Sequence, residues 1–191
     1  YPKAKSYLER YKKENSCREV QAGNHPWYSL HRPRNPEIFL SPKFIGLTTT
    51  KTIELIYDET ENLYVTDGMY VFTLKKEIDP WVCMAILLSK AFLFLYRVAN
   101  QGESRVIPQI KATKLKTLPF PKFEPKDERI SQLSNLCKRN LMLHKRLAFT
   151  KTPQDKEMLS RQIESTDVAI DRLVYELYGL TEEEIKIVEG E

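Results

Sequence analysis

Between Lys43 and Leu74 the apolar side chains come in short runs, 43–49, 52–57, 63–66 and 69–74, rich in Ile, Val, Thr, Tyr and Phe. The runs are divided by Asp58-Glu59-Thr60-Glu61-Asn62 and by Asp67-Gly68. That pattern predicts strands joined by hairpins, with Asp67-Gly68 the strongest turn signal in the chain. From about Pro80 to Val98 the run is longer and almost wholly apolar, which predicts one buried helix. A further strand is expected around Ile107 to Ala112. Ahead of the strands, Pro2 to Lys13 reads as a short basic helix and Asn24 to Pro36 as an irregular loop bearing aromatics and arginines.

The second part of the chain changes period. Ile130, Leu133, Leu136, Cys137, Leu141 and Leu147 lie close to helical spacing, and Leu159, Ile163, Thr166, Ile170, Leu173 and Leu177 step by three and four. Thr152-Pro153-Gln154-Asp155 supplies an N-cap, a first-turn proline and an acid for the second helix, and Gly179 stops it. The loop between the two helices is short enough to force an antiparallel hairpin. Thr181 and Glu184 form a capping box that opens a short acidic terminal helix. The three prolines of the segment 118–125 forbid helix and mark an extended connector. The fold class expected is α+β: a small mixed or antiparallel sheet domain with a buried helix, residues 1–123, then a C-terminal antiparallel helical hairpin with a short terminal helix, residues 124–191.

Charge follows the same division. Residues 1–123 hold 19 Lys+Arg against 12 Asp+Glu, whereas 124–191 hold 11 against 14, so the basic part is the one that would seek a polyanion. The three cysteines, Cys17, Cys83 and Cys137, form no C-x-x-C pair and are odd in number, which points to a reducing, cytoplasmic setting. Ser89 and Lys90 interrupt the apolar run from Trp81 to Tyr96, so it reads as a core helix and not a membrane span. The chain opens on Tyr1, which suggests a piece of a longer polypeptide.

Catalytic patterns are missing. The 6 glycines form neither a dinucleotide fingerprint nor a P-loop. Cys17, His25 and His31 fit no zinc spacing, and His144, between Leu143 and Lys145, reads as a solvated helix residue. Glu184-Ile185-Lys186 has the letters of a nuclease motif without a strand around it, and Asn35-Pro36-Glu37 lacks the second proline and aromatic of an amino-methylating loop. No enzymatic activity and no cofactor or metal are expected of these residues alone.

What the basic part does contain is cations interleaved with amides and hydroxyls. Arg97, Arg105, Lys111, Lys114, Lys116 and Lys122 face a single acid, Glu103, and among them stand Asn100, Gln101, Ser104 and Gln109. Cations suit phosphates, and amides or arginine suit base edges. His31, Arg32 and Arg34 make a second cluster, and Thr48, Thr49, Thr50 and Lys51 a third at an expected hairpin tip. Three such loops from one sheet would suit the major groove of duplex DNA. Trp27 and the strand aromatics Tyr57, Tyr64, Tyr70 and Phe72 read as packing.

The order Trp27-Tyr28-Ser29-Leu30, Pro33-Arg34, and Phe39 to Ile45 resembles the signature of the TaqI-like specificity domain. The resemblance continues in Tyr64 to Tyr70, in Ala85 to Lys90 and in Leu115 to Pro121, and the tail Leu173 to Ile185 looks like the usual end of such proteins. It implies the target recognition domain of an adenine-specific DNA methyltransferase, within a type II or fused restriction-modification enzyme of bacterial defence. The parent would carry an N-terminal methyltransferase domain as partner, using S-adenosylmethionine, and magnesium if it also cleaves DNA. Arg34 and Lys43 match recurrent positions of the family, where such residues either contact DNA or brace the domain, and Lys43 joins the candidate DNA-binding set on that basis. Two other possibilities stand beside this one: part of a type I restriction specificity subunit, and a protein interaction module built on the helical hairpin.

Overall fold

Strand β1 (Lys43–Leu47) is the centre of a three-stranded antiparallel sheet of order β2-β1-β3, flanked by β2 (Leu55–Asp58) and β3 (Met69–Phe72). The computed structural model describes residues 1–29, 35–60, 63–75, 78–100, 109–124 and 126–190, which divide into two compact units, Tyr1–Pro36 and Glu37–Glu191. The architecture is α+β, with eight α-helices among the described residues: α1 (Pro2–Glu9), α2 (Arg18–Gln21), α3 (Pro80–Leu88), α4 (Lys90–Ala99), α5 (Ala112–Leu115), α6 (Glu128–Phe149), α7 (Pro153–Tyr178) and α8 (Glu182–Glu189).

The first unit holds α1 and α2. The α1 helix stops at Glu9, short of the expected Lys13, and buries none of its side chains. It is decorated instead by surface cation–aromatic contacts, Arg10 over the Tyr7 ring at 3.8 Å and Lys5 over Tyr28 at 5.3 Å.

In the second unit one face of the sheet is aromatic. Phe44, fully buried, stacks on Phe72 (centroids 5.2 Å apart) and meets Tyr57 (4.9 Å), which in turn meets Trp81 of α3 edge-on at 5.6 Å. Gly46 pairs with Tyr70 in register, and a Cβ there would lie 2.2 Å from the Tyr70 ring. Only glycine lets the ring lie flat over the central strand.

Three expectations about strands and helices are corrected. Residues 63–66 form no strand: the Leu63 amide donates to the Asp58 carboxylate at 3.0 Å, so a backbone donor that a ladder would need is spent on a side chain. The Asp67-Gly68 turn therefore leads into β3, whose partner is β1. The single helix expected from Pro80 to Val98 is two helices, bent by 61° at Ser89. Ser89 has extended backbone; its hydroxyl donates to the Ile86 carbonyl (2.7 Å) and accepts the Phe92 amide (3.3 Å), closing α3 and capping α4 with one side chain. The expected strand at 107–112 is no strand over its described residues; the Ile110 amide makes one bond, to the Thr48 carbonyl (2.8 Å), and α5 starts at Ala112.

The helical hairpin is as its pattern predicts. Thr152 caps α7 and Gly179 ends it in the left-handed region (φ +69°), while Thr181 and Glu184 complete the capping box of α8. Leu159, Ile163, Thr166 and Ile170 are all buried. Leu133, Cys137, Ile170 and Val174 of the hairpin share one core with Val82, Met84 and Ile86 of α3, whereas Leu143, Leu159 and Ile163 form a separate small core near the hairpin's turn. No single helix among the described residues is long and apolar enough to cross a membrane, and the bent pair α3–α4 spends its apolar side chains in the core.

Candidate nucleic-acid interface

Thr48, the first residue after β1, is tied on both sides. Its amide donates to the Gly68 carbonyl (3.0 Å) and its carbonyl accepts from Ile110 (2.8 Å), so the β1–β2 tip, the turn before β3 and the segment 109–111 meet at one point. Tyr96 in α4 holds the same segment from the other side. Its hydroxyl donates to the Gln109 carbonyl and accepts the Lys111 amide, both at 3.1 Å. The Asn100 amide closes the end of α4 by donating to the Tyr96 carbonyl at 2.7 Å.

Those bonds bring together seven of the candidate residues: Thr49, Thr50 and Lys51 at the tip, Arg97 and Asn100 at the end of α4, and Gln109 and Lys111 on the strap between α4 and α5. Thr49, Lys51 and Arg97 are exposed; Thr50, Asn100, Gln109 and Lys111 are half-buried. Thr50 donates to the Glu54 carboxylate at 2.7 Å, which stiffens the tip. The described residues between 97 and 122 carry Arg97, Lys111, Lys114, Lys116 and Lys122 and no acidic side chain. His31, Arg32, Arg34, Gln101, Ser104 and Arg105 lie outside the described residues.

Lys43 is elsewhere and does something else. It starts β1, about 16 Å along the strand from Thr48 at ~3.3 Å per residue, and is 0% exposed. Its ammonium donates to Asp58 Oδ2 (2.6 Å) and to the Phe39 carbonyl (3.1 Å). With no surface in solvent it offers no charge to a phosphate; it braces the far end of the sheet.

Asp58 completes that brace. Beyond Lys43 it accepts from the Thr60 amide and hydroxyl and from the Leu63 amide, at 2.8 to 3.1 Å. The Lys43 ammonium first, and then the Thr60 and Leu63 donors, hold its carboxyl well below the ordinary carboxylate range against the opposing effect of burial. Cys83 and Cys137 are buried free thiols, pushed up to about 12 and about 11 by burial, so neither supplies a thiolate nucleophile; Cys17 is free and exposed. No group of His, Cys, Asp and Glu among the described residues could hold a metal ion.

Tyr96 is the contributor that sequence patterning passes over. Inside the apolar run it counts as core, and it is buried, yet its hydroxyl is what fastens Gln109 and Lys111 to α4. The signal available was a tyrosine where phenylalanine would pack equally well, since a buried phenol needs a partner.

No protein-family model and no curated protein matches this chain. The functional argument therefore rests on the arrangement of its own residues.

Proposed function

We propose that the chain recognises duplex DNA in a sequence-dependent way, as the target recognition part of an adenine-specific DNA methyltransferase or a fused restriction-modification enzyme. The observation that carries this is the junction at Thr48, where the polar tip 48–51, the α4 terminus with Arg97 and Asn100, and the Gln109–Lys111 strap are joined by main-chain bonds and by Tyr96. A reader of bases needs amides and hydroxyls held rigidly beside cations that engage phosphates. Here the polar groups are set on a strand end and a helix end, and Lys51, Arg97 and Lys111 stand among them. The part proposed for these residues is affinity and sequence choice, with methyl transfer left to the N-terminal domain of the parent chain. Such a domain would use S-adenosylmethionine on an adenine turned out of the duplex.

The test is selection of bound duplexes from a random pool by the whole chain, followed by fluorescence anisotropy on the winning sequence. Affinity should fall steeply with salt while the preference for that sequence persists. Arg97→Ala should weaken binding to every duplex alike and flatten the salt slope, whereas losing a base contact at Asn100 or Gln109 should cost about 1–3 kcal/mol and relax the preference at one position. Equal affinity for all duplexes at moderate salt would sink the proposal.

A second possibility is favoured by one observation: Met142, Phe149, Met158 and Val168 leave large apolar areas exposed along the hairpin, Phe149 being 86% exposed. A hairpin acting as a protein interaction module would show association that grows with concentration in sedimentation and would retain no DNA.

A further inference from the structure

Between β2, the break at Ser89 and the inner side of α6 and α7 lies an open cleft of about 660 Å³. Its apolar wall is made by Leu55, Met84, Leu88 and Ile170. Its ionisable groups include the carboxylates of Glu54, Asp167 and Asp171, the Lys90 ammonium and the His144 imidazole, on a chain whose formal charge is +4.

Two of these polar side chains are more than nine-tenths buried and incompletely bonded. Asp171, 7% exposed, accepts the Lys90 amide on Oδ1 at 2.9 Å, and its Oδ2 makes no hydrogen bond among the described residues. Asn140, 8% exposed, donates from Nδ2 to Asp167 Oδ1, while its own Oδ1 has no donor. The Lys90 ammonium bonds Glu189 at 3.0 Å. Burial raises the Asp171 carboxyl above the ordinary carboxylate range, with the Lys90 amide and charge offsetting only part of that effect. Asp171 thus presents to the cleft a carboxylate with one backbone donor, and Asn140 a buried oxygen with none among the described residues.

We propose that this cleft binds an alkylammonium or alkylguanidinium group, its cationic head against Asp171 and its methylenes along Leu55, Met84 and Leu88. The group is either a free small amine or the end of a lysine or arginine side chain of a partner protein. A cationic head gives the free oxygen a charge-assisted bond in a partly water-excluded place, and a short aliphatic stem matches the apolar wall. The same acidic lining disfavours a polyanion, so the cleft and the basic junction at Thr48 suit opposite charges, although Glu54 also takes the Thr50 hydroxyl of the tip.

The experiment is a ¹H–¹⁵N titration of the whole chain with n-butylammonium, n-butylguanidinium and the uncharged n-butanol, alongside acetylated and amidated lysine and arginine. Saturable shifts of the Lys90 backbone amide and the Asn140 side-chain amide are expected with the cations, at a Kd at least tenfold below that of butanol. Asp171→Asn, which retains a carbonyl for the Lys90 amide, should raise the Kd at least tenfold; Glu54→Gln, on the opposite wall, should raise it about threefold; Glu157→Gln, on the exposed side of α7, should leave it unchanged. Capped amino acids binding tenfold tighter than the bare amines would assign the site to a partner's side chain, and the reverse to a free amine. Equal shifts with butanol and butylammonium, or an Asp171→Asn chain that binds the cations as well as the wild type, would overturn the proposal. DNA affinity measured on Asp171→Asn stays at the wild-type value if the two sites are separate.

Discussion

Asp58 at the foot of the sheet and Asp171 in the helical hairpin are both buried aspartates of one compact unit, 4% and 7% exposed, yet they titrate in opposite directions. Asp58 has the Lys43 ammonium, the Thr60 hydroxyl and the amides of Thr60 and Leu63 aimed at it, and its charged form is favoured. Asp171 has one backbone amide, and its charged form is disfavoured. Their exposure is similar, but the leading causes differ: the Lys43 ammonium lowers Asp58 against burial, whereas burial raises Asp171 with only the Lys90 amide and charge opposing it. A saturated carboxylate is a structural part; a half-saturated one lining a cleft has capacity left for something from outside.

The largest effect should come from breaking the saturated set. Lys43→Met leaves Asp58 buried without its ammonium, and the melting temperature at pH 7 should fall on the order of 10 °C. Because Asp58 titrates below its unfolded value, its stabilisation is present above about pH 4 and is lost as pH falls toward the folded value. The gap between wild type and Lys43→Met should therefore narrow on going from pH 7 to pH 3, as circular dichroism melts would record. Thr60→Val removes one hydroxyl donor from the same carboxylate and should lower the melting temperature by roughly 2–4 °C.

The same contrast explains what could be foreseen from the residues. Lys43 at a strand start looks like any exposed lysine, and its burial depends on Asp58 arriving opposite it in register, a long-range fact. Leu63 to Thr66 has a strand's composition but lost its pairing to Asp58, which no local pattern reports. By contrast the caps at Thr152, Gly179 and Thr181, and the buried stripe of α7, are local chemistry and stood where the periodicity put them. The bend at Ser89 lies between these cases: Ser-Lys interrupts the apolar run visibly, yet the Asp171 carboxylate that takes the freed Lys90 amide lies 81 residues away. Of the candidate interface, the tip and the strap were visible as clusters of polar residues, whereas their junction through Thr48 and Tyr96 was not.

Asp171→Asn probes the unsaturated member. The folded wild type keeps a proton on Asp171 that the unfolded chain has already released, so its stability falls as pH climbs from about 3.9 through the raised folded value. The variant has no such titration. Relative to wild type its melting temperature should therefore rise between pH 4 and pH 7, the opposite sign to the trend for Asp58. A difference that stays constant over that window would mean Asp171 is ionised as easily in the fold as in the open chain.

The smallest effect is expected where a polar side chain is already short of partners. Asn140→Leu removes one bond to Asp167, an exposed residue that water can serve, and at the same time removes a buried oxygen that no donor reaches. Loss and relief nearly cancel when an unsatisfied polar group gives way to an apolar one of similar size. The melting temperature should move by less than about 2 °C, below the fall expected for Thr60→Val, although Thr60 is exposed and Asn140 is buried. If Asn140→Leu instead cost as much as Lys43→Met, Asn140 would be a saturated structural part after all, and the distinction between the two aspartates' surroundings would fail at its weakest member.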